Sequence, residues 1–431
     1  MSDINNYPDG SWSLSPRAAG THHRESVRVL VLVAPGQGAQ TPGFLTPWLE
    51  LPGAADRVGA WSDAIELDLA HYGTKADADE IRDTAVAQPL LVAAGLLSAS
   101  ALATTRANDR STFGAVAGHS VGEITAAAYA GVISEAEALS FVRTRGLAMA
   151  EASAVTETGM AAVLGGETDV VVAHLEKLGL APANINGAGQ IVAAGTMEQI
   201  AALTAEKPEG SMKVVALKVA GAFHTHHMTP AVATLAKAAQ ALTPADPELK
   251  YVSNKDGLVV ATGADVVARL VGQVANPVRW DLCMETFAEL GVTGIIELCP
   301  GGTLTGLAKR ALKGVPSVAL KTPDDLEKGR RAHRRARGLR EGAHTACRRS
   351  SLPRAPRTPA SSGSAATARP AWCPTRSSWR RSTRPTSGSA RAPASRPGTG
   401  PRRRRRSRRC RWRPRARRSP TPGSPRSRSA P

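Results

Sequence analysis

Cysteine is scarce in this chain, with five residues in 431, and only Cys283 and Cys299 precede position 328. Those two show no metal-type spacing. That excludes a disulfide framework and a cysteine zinc site, and it points to a reducing compartment. Long apolar runs are missing as well. The longest, Ala87 to Ala103, carries Gln88, Ser98 and Ser100 and falls short of the ~20 residues of a membrane span, so a buried core helix is expected. The first 26 residues are polar and hold no apolar segment of the kind a secretory leader needs. A cytoplasmic protein without membrane contact is the expectation.

Acidic residues all but vanish toward the C-terminus. Lys328 to Pro431 contains 31 arginines and one lysine against a single Glu341, and no Val, Ile, Phe, Met, Asn or Asp. The formal net charge of +19 therefore belongs to this tail, and residues 1–327 carry −12. Too little apolar surface is available there to offset chain entropy, and residues 324–431 are expected to be disordered. Tracts such as Arg402 to Arg406 would bind nucleic acid by counterion release. The same mixture arises when GC-rich codons are read out of frame, and the change near Lys328 is abrupt. A frameshift product is the favoured reading, with nucleic acid not expected as a partner. Residues 1–28 read as a disordered or misassigned extension.

What remains alternates strands and helices. Val27 to Ala34 is a continuous β-branched and apolar run, the pattern of a strand buried on both faces. It ends in the tight loop Pro35-Gly36-Gln37-Gly38-Ala39-Gln40. Gln88-Pro89 is expected to open the apolar helix, with proline early where its missing N–H does no harm. Then Phe113 to Ala117 leads into Gly118-His119-Ser120-Val121-Gly122-Glu123, and the small-residue stretch Ile124 to Ala130 leads out. That is the strand–turn–helix layout of a nucleophile elbow. Its glycines are needed because the turn is too tight for a Cβ. The turn lifts the Ser120 hydroxyl over a helix N-terminus, where free N–H groups and the helix dipole stabilise an oxyanion. The alternative is a glycine-rich turn holding an ordinary serine.

Ser134-Glu135-Ala136-Glu137 reads as an N-cap with acidic first-turn residues; its helix runs to about Ala150 and carries Arg143 and Arg145. Beyond Met160 the elements shorten: strands at Met160–Leu164, Gln190–Ala194 and Met212–Val219, helices at Thr168–Leu178 and Met197–Ala205. This alternation suits a small ferredoxin-like insert. Larger elements follow: a helix after Thr229, a helix at Trp280–Leu290, a buried strand at Val292–Leu298 and a helix at Thr303–Leu312. Thr322-Pro323-Asp324-Asp325 reads as the end of the body.

A serine elbow needs a base. The candidates lie in Gly221-Ala222-Phe223-His224-Thr225-His226-His227-Met228. Three histidines invite a metal reading, but no Glu or Cys completes a zinc motif, so one of them as general base is preferred.

Five segments now occur in one order: Pro35 to Gln40, Gly118 to Glu123, Arg143-Thr144-Arg145-Gly146, Ala222-Phe223-His224, and Gln273-Val274-Ala275-Asn276-Pro277-Val278. Together they resemble the malonyl-CoA:acyl carrier protein transacylase family and the related acyltransferase domains of polyketide synthases, over roughly Val29 to Pro323. The resemblance implies an α/β fold: a large α/β-hydrolase-like domain with a mostly parallel sheet, residues 29–155 and 222–323, plus a small inserted ferredoxin-like α+β domain, residues 156–221. It implies Ser120 as nucleophile and His224 as base, the histidine oriented by a carbonyl in the Gln273 segment rather than by a carboxylate. Backbone N–H groups of Gln37 and Val121 would form the oxyanion hole.

Arg145 falls where the family grips the malonyl carboxylate. A planar, permanently charged fork suits that task, although an arginine on a helix more often faces solvent. Gln273 would line the substrate site. Asn186 would shape the small-domain side of the cleft or cap a loop, and His119 would touch the acyl group or pack beneath the elbow. The resemblance further implies no metal and no tightly bound cofactor. Malonyl-CoA is the donor, the phosphopantetheine thiol of acyl carrier protein the acceptor, the mechanism ping-pong and the chain a monomer. Val121 and Ala222-Phe223 fit malonyl better than methylmalonyl. The alternatives are an acyltransferase loading a polyketide synthase carrier protein, and a serine hydrolase or thioesterase. A hydrolase usually orders Ser, acid, His along the chain and would not require Arg145 or the Pro-Gly-Gln-Gly loop.

Overall fold

The structure, a computed structural model, describes residues 29–103 and 113–336. Its large body is built on a six-stranded sheet: β1 (Val29–Ala34), β2 (Phe113–Gly118), β7 (Lys250–Val252), β8 (Val259–Val260), β10 (Val292–Glu297) and β11 (Ser317–Ala319). The order is β11-β10-β1-β2-β7-β8, parallel throughout except for β8. Strand β1 explains why its sequence is uniformly apolar. Leu30, Leu32 and Ala34 enter one hydrophobic cluster and Val31 and Val33 another, on opposite faces.

The helix Thr84–Leu102 is apolar all round and buried in the first of those clusters. It is the one described helix long and apolar enough to cross a membrane. It starts a turn earlier than the sequence suggested, because Asp83 caps it by accepting the Ala85 N–H. Pro89 therefore lies inside the helix, where it leaves the carbonyl of Ala85 without its usual i+4 donor. Arg143 supplies the replacement, donating from NH1 to Ala85 O at 2.9 Å.

The helix Glu135–Ser153 packs alongside. Ser134 and Glu137 form a full capping box, and Glu137 also accepts from Thr243 N and Oγ1. These bonds hold the Glu137 carboxyl down at about 2 against the opposing effect of burial. Ser134→Ala is expected to cost about 1 kcal/mol of stability, measured as a lowered denaturation midpoint with an unchanged slope.

The second sheet holds β3 (Thr158–Gly165), β4 (Ala181–Gly187), β5 (Gln190–Thr196) and β6 (Ser211–Leu217), in the order β6-β3-β5-β4 and antiparallel. Helices Thr168–Lys177 and Met197–Ala205 supply the βαββαβ succession of a ferredoxin-like unit. A fifth strand, β9 (Val278–Arg279), joins its edge parallel to β4. Strand β4 was not expected from its residues. Pro182, Asn184 and Asn186 are poor strand formers, and the pairing with β5 shifts register at Pro182/Asn184.

One expectation is corrected outright. The body does not end at Thr322–Asp325, nor is the chain unstructured from 324. Pro323–Asp325 makes a 3-10 turn and Leu326–Ala336 a helix. Leu326, Gly329, Arg330 and His333 share its inner face. Leu326 is buried, Gly329 packs against the end of the Leu102 side chain, Arg330 donates to Ala101 O at 2.8 Å, and His333 stacks on Phe113. Residues 1–28 and the arginine tracts beyond 336 lie outside the described residues.

Candidate active site

Strand β2 and the helix Gly122–Tyr129 meet at Ser120, whose φ is +53°, in the left-handed region. Both flanking glycines are required by space. A Cβ on Gly118 would lie 2.0 Å from Gly122 C and O, and one on Gly122 would lie 2.3 Å from Ala34 O. The Pro35–Gln40 loop lies against the turn, so close that a Cβ on Gly36 would lie 2.7 Å from His119 O, and at the end of β1 Ala34 O accepts the His119 N–H at 2.9 Å. Gln37 is half-buried there, its Nε2 donating to Arg82 O at 3.2 Å. Val121, buried, begins the helix N-terminus directly after the serine.

Asn254, just past β7, holds the elbow from behind. Its Oδ1 accepts the Ser120 N–H at 2.7 Å and its Nδ2 donates to Gly118 O at 2.7 Å. The N–H of Ser120 is thereby occupied.

The chain returns from β6 through Gly221 to His224, which also has a positive φ, +63°. Its backbone N–H is held by Val274 O at 3.0 Å. Ser120 Oγ donates to His224 Nε2 at 2.7 Å, and His224 Nδ1 donates to Gln273 O at 2.9 Å. The second bond fixes the tautomer with its lone pair on Nε2, facing the serine. Burial, and after it the nearby Arg145 charge, push the imidazole down to about 3, so it is neutral and able to accept a proton. His226 and His227 stack on each other in the next turn, away from this pair. Among the described residues no cluster of three or more His, Cys, Asp or Glu could hold a metal ion.

Arg145 is 1 % exposed. Its NH1 donates to Gln88 Oε1 at 2.6 Å and its NH2 to Gln273 Oε1 at 2.9 Å, while Nε has no hydrogen-bond partner. Both partners are neutral amides. Burial lowers its pKa to about 10, still well above neutrality. The result is a buried cation whose charge reaches His224, held by two amides and with its Nε unpartnered. Gln88 turns its own Nε2 to Met149 Sδ, 3.4 Å away. On the small-lobe side, His119 Nε2 donates to Asn186 Oδ1 at 2.8 Å, and its ring meets Trp280 edge-on. Burial keeps His119 below its usual range.

Ser120, His224, Gln273 and Arg145 are thus in one bonded network, and His119 and Asn186 in a second beside it. Three residues bonded to this network had no assigned role from the sequence alone: Gln88, Asn254 and Glu123, the last accepting from Gln273 Nε2. Gln88 stood out only as a polar interruption of an apolar run; nothing distinguished Asn254.

A family model described as acyl transferase domain matches residues 31–347. The chain belongs to that family. A malonyl CoA-acyl carrier protein transacylase of Mycobacterium bovis is 53% identical over 299 residues, covering 69% of this chain and 98% of that protein. The crystal structure of MCAT from Mycobacterium tuberculosis superposes with a TM-score of 0.67 at 51% identity, over 70% of this chain and 100% of that one. A malonyl-transacylase in complex with its type II PKS acyl-carrier protein superposes with a TM-score of 0.65 at 28% identity, over 70% and 99%. The acyl transferase match extends past Asp325, in keeping with the helix found there.

Proposed function

We propose that this acyltransferase moves a malonyl group from malonyl-CoA to the phosphopantetheine thiol of an acyl carrier protein through a malonyl-Ser120 intermediate. The observation that carries the reading is the buried Arg145, held by two neutral amides beside a serine already bonded to a neutral histidine. A cation so placed lacks a carboxylate ligand of its own and favours an acyl group that brings one.

His224 Nε2 takes the Ser120 proton as Oγ attacks the thioester carbon. The oxyanion forms at the helix N-terminus, received by the N–H groups of Val121 and Gln37. Collapse expels the CoA thiolate, which takes the proton from His224. The carrier thiol then gives its proton to His224, attacks the acyl-serine and restores the hydroxyl as it leaves with the malonyl group. All these groups come from one chain, so the site is complete in a monomer, and no step calls for a bound cofactor or metal. The strands from 158 to 217 form the small-lobe wall, with Asn186 and His119 at the cleft. A carrier of polyketide rather than fatty acid synthesis is the second reading, favoured only by the likeness to the type II PKS pair.

Mixing the protein with malonyl-CoA alone is expected to raise its intact mass by one malonyl group, mapped by peptide analysis to Ser120 and discharged by added holo carrier protein. Fast loss of the adduct to water without carrier would instead support the hydrolase.

A further inference from the structure

Glu123 follows the elbow's second glycine and touches no reacting atom, yet its side chain is 1 % exposed. Its Oε1 accepts the Asn254 N–H at 2.6 Å and its Oε2 accepts Gln273 Nε2 at 2.5 Å. The Gln273 amide is thereby committed at both ends. Its Nε2 faces Glu123 and Ser120 O, and its Oε1 faces Arg145 NH2. A primary amide keeps nearly the same shape when turned end for end. Turned here, it would aim N–H groups at the guanidinium, donor against donor. An ionised carboxylate only accepts hydrogen bonds, so Glu123 joins the Ser120 carbonyl in demanding the Nε2 end, through the shorter of the two bonds, and leaves the oxygen for Arg145.

We propose that Glu123 is a positioning residue: its carboxylate fixes the Gln273 amide, which sets Arg145 in the orientation that receives a charged acyl group. This rests on the reading of Arg145 as the malonyl carboxylate's partner. Protonation of Glu123 removes the charge and one acceptor site from a carboxyl whose two oxygens both receive N–H donors, and it weakens the hold on the amide to the Ser120 O bond at 3.1 Å. The groups that face it are mixed in sign. Arg145 from the helix Glu135–Ser153 and Arg269 from the helix Gly263–Gly272 favour the anion, while burial, the larger effect, raises the carboxyl to about 7. Lys255 and Asp265 line the same cavity of about 240 Å³ as Glu123 and Gln273. Tyr251 and Cys283, packed beside it, are pushed up and stay neutral.

The test compares kcat/KM for malonyl-CoA with that for acetyl-CoA. In the unaltered protein the malonyl-to-acetyl ratio is expected to fall several-fold from about pH 8 to about pH 6, a range over which malonyl stays ionised. In Glu123→Gln, whose amide can accept from only one of the two donors, the ratio should drop about tenfold and lose its pH dependence. The same exchange made on top of Arg145→Ala should change the ratio less than about twofold, because the effect runs through Arg145. If Arg145→Ala slows both donors equally, the clamp reading fails and the proposal with it. If Arg145→Ala is selective but Glu123→Gln lowers the ratio equally in both backgrounds, Glu123 is structural and the clamp reading survives. A ratio flat with pH in the unaltered protein overturns the proposal even if Glu123→Gln does not fold.

Discussion

Arg145→Ala is expected to lower kcat/KM for malonyl-CoA about a thousandfold, because a carboxylate would have to enter a dry pocket with its charge unpaired, at roughly 3–5 kcal/mol. The neutral acetyl group meets no such cost and should lose far less, so the ratio of the two collapses. Arg145→Lys should recover little. An ammonium on a flexible stem cannot serve two amide oxygens and a carboxylate in one plane, whereas the guanidinium already spans Gln88 and Gln273. Steady-state kinetics with both donors decides the matter; equal losses would mean that Arg145 only supports the fold.

His224→Ala is expected to slow serine acylation by about ten-thousandfold, the upper range for a general base, measured as the single-turnover rate of malonyl adduct formation. The wild-type pH profile carries a second signature. A histidine lowered to about 3 keeps its base form well below neutrality. With acetyl-CoA, therefore, no acid limb should appear near the ordinary histidine range of about 6.5. The sign follows from the cause. Burial and Arg145 both oppose the imidazolium, so proton binding is displaced to lower pH. A limb near 6.5 with acetyl-CoA would place the imidazole in a wetter setting than the one described here.

Much of this site was legible because tight backbone geometry leaves marks in the sequence. Gly118 and Gly122 are there since any Cβ would strike backbone, and they flag the elbow without a structure. The capping box at Ser134 and Glu137 announced the helix that carries Arg145. Side-chain networks leave no such mark. Gln88, Asn254 and Glu123 lie far apart in sequence from the groups they hold, and their pairing appears only when the sheet and two helices come together. Strand β4 was missed because pairing with β5 and β9, not the propensity of its own residues, makes it a strand. The helix Leu326–Ala336 was missed for the opposite reason. Its arginine-rich composition masked an inner face of Leu326, Gly329 and His333, which packs with β1, β10 and the helix Thr84–Leu102.

Strand β9 belongs to the chain after it has come back from the small lobe, yet it hydrogen-bonds to that lobe's outer strand, Asn184 opposite Val278 and Ile185 opposite Arg279. Two residues beyond Asn184 on the same strand, Asn186 Oδ1 accepts from His119 Nε2 of the elbow. Spreading the lobes would break a two-residue ladder and a half-buried side-chain bond together, so the two sheets are joined at two points beside Ser120. A substrate that required a wider opening at this wall would have to break both contacts first.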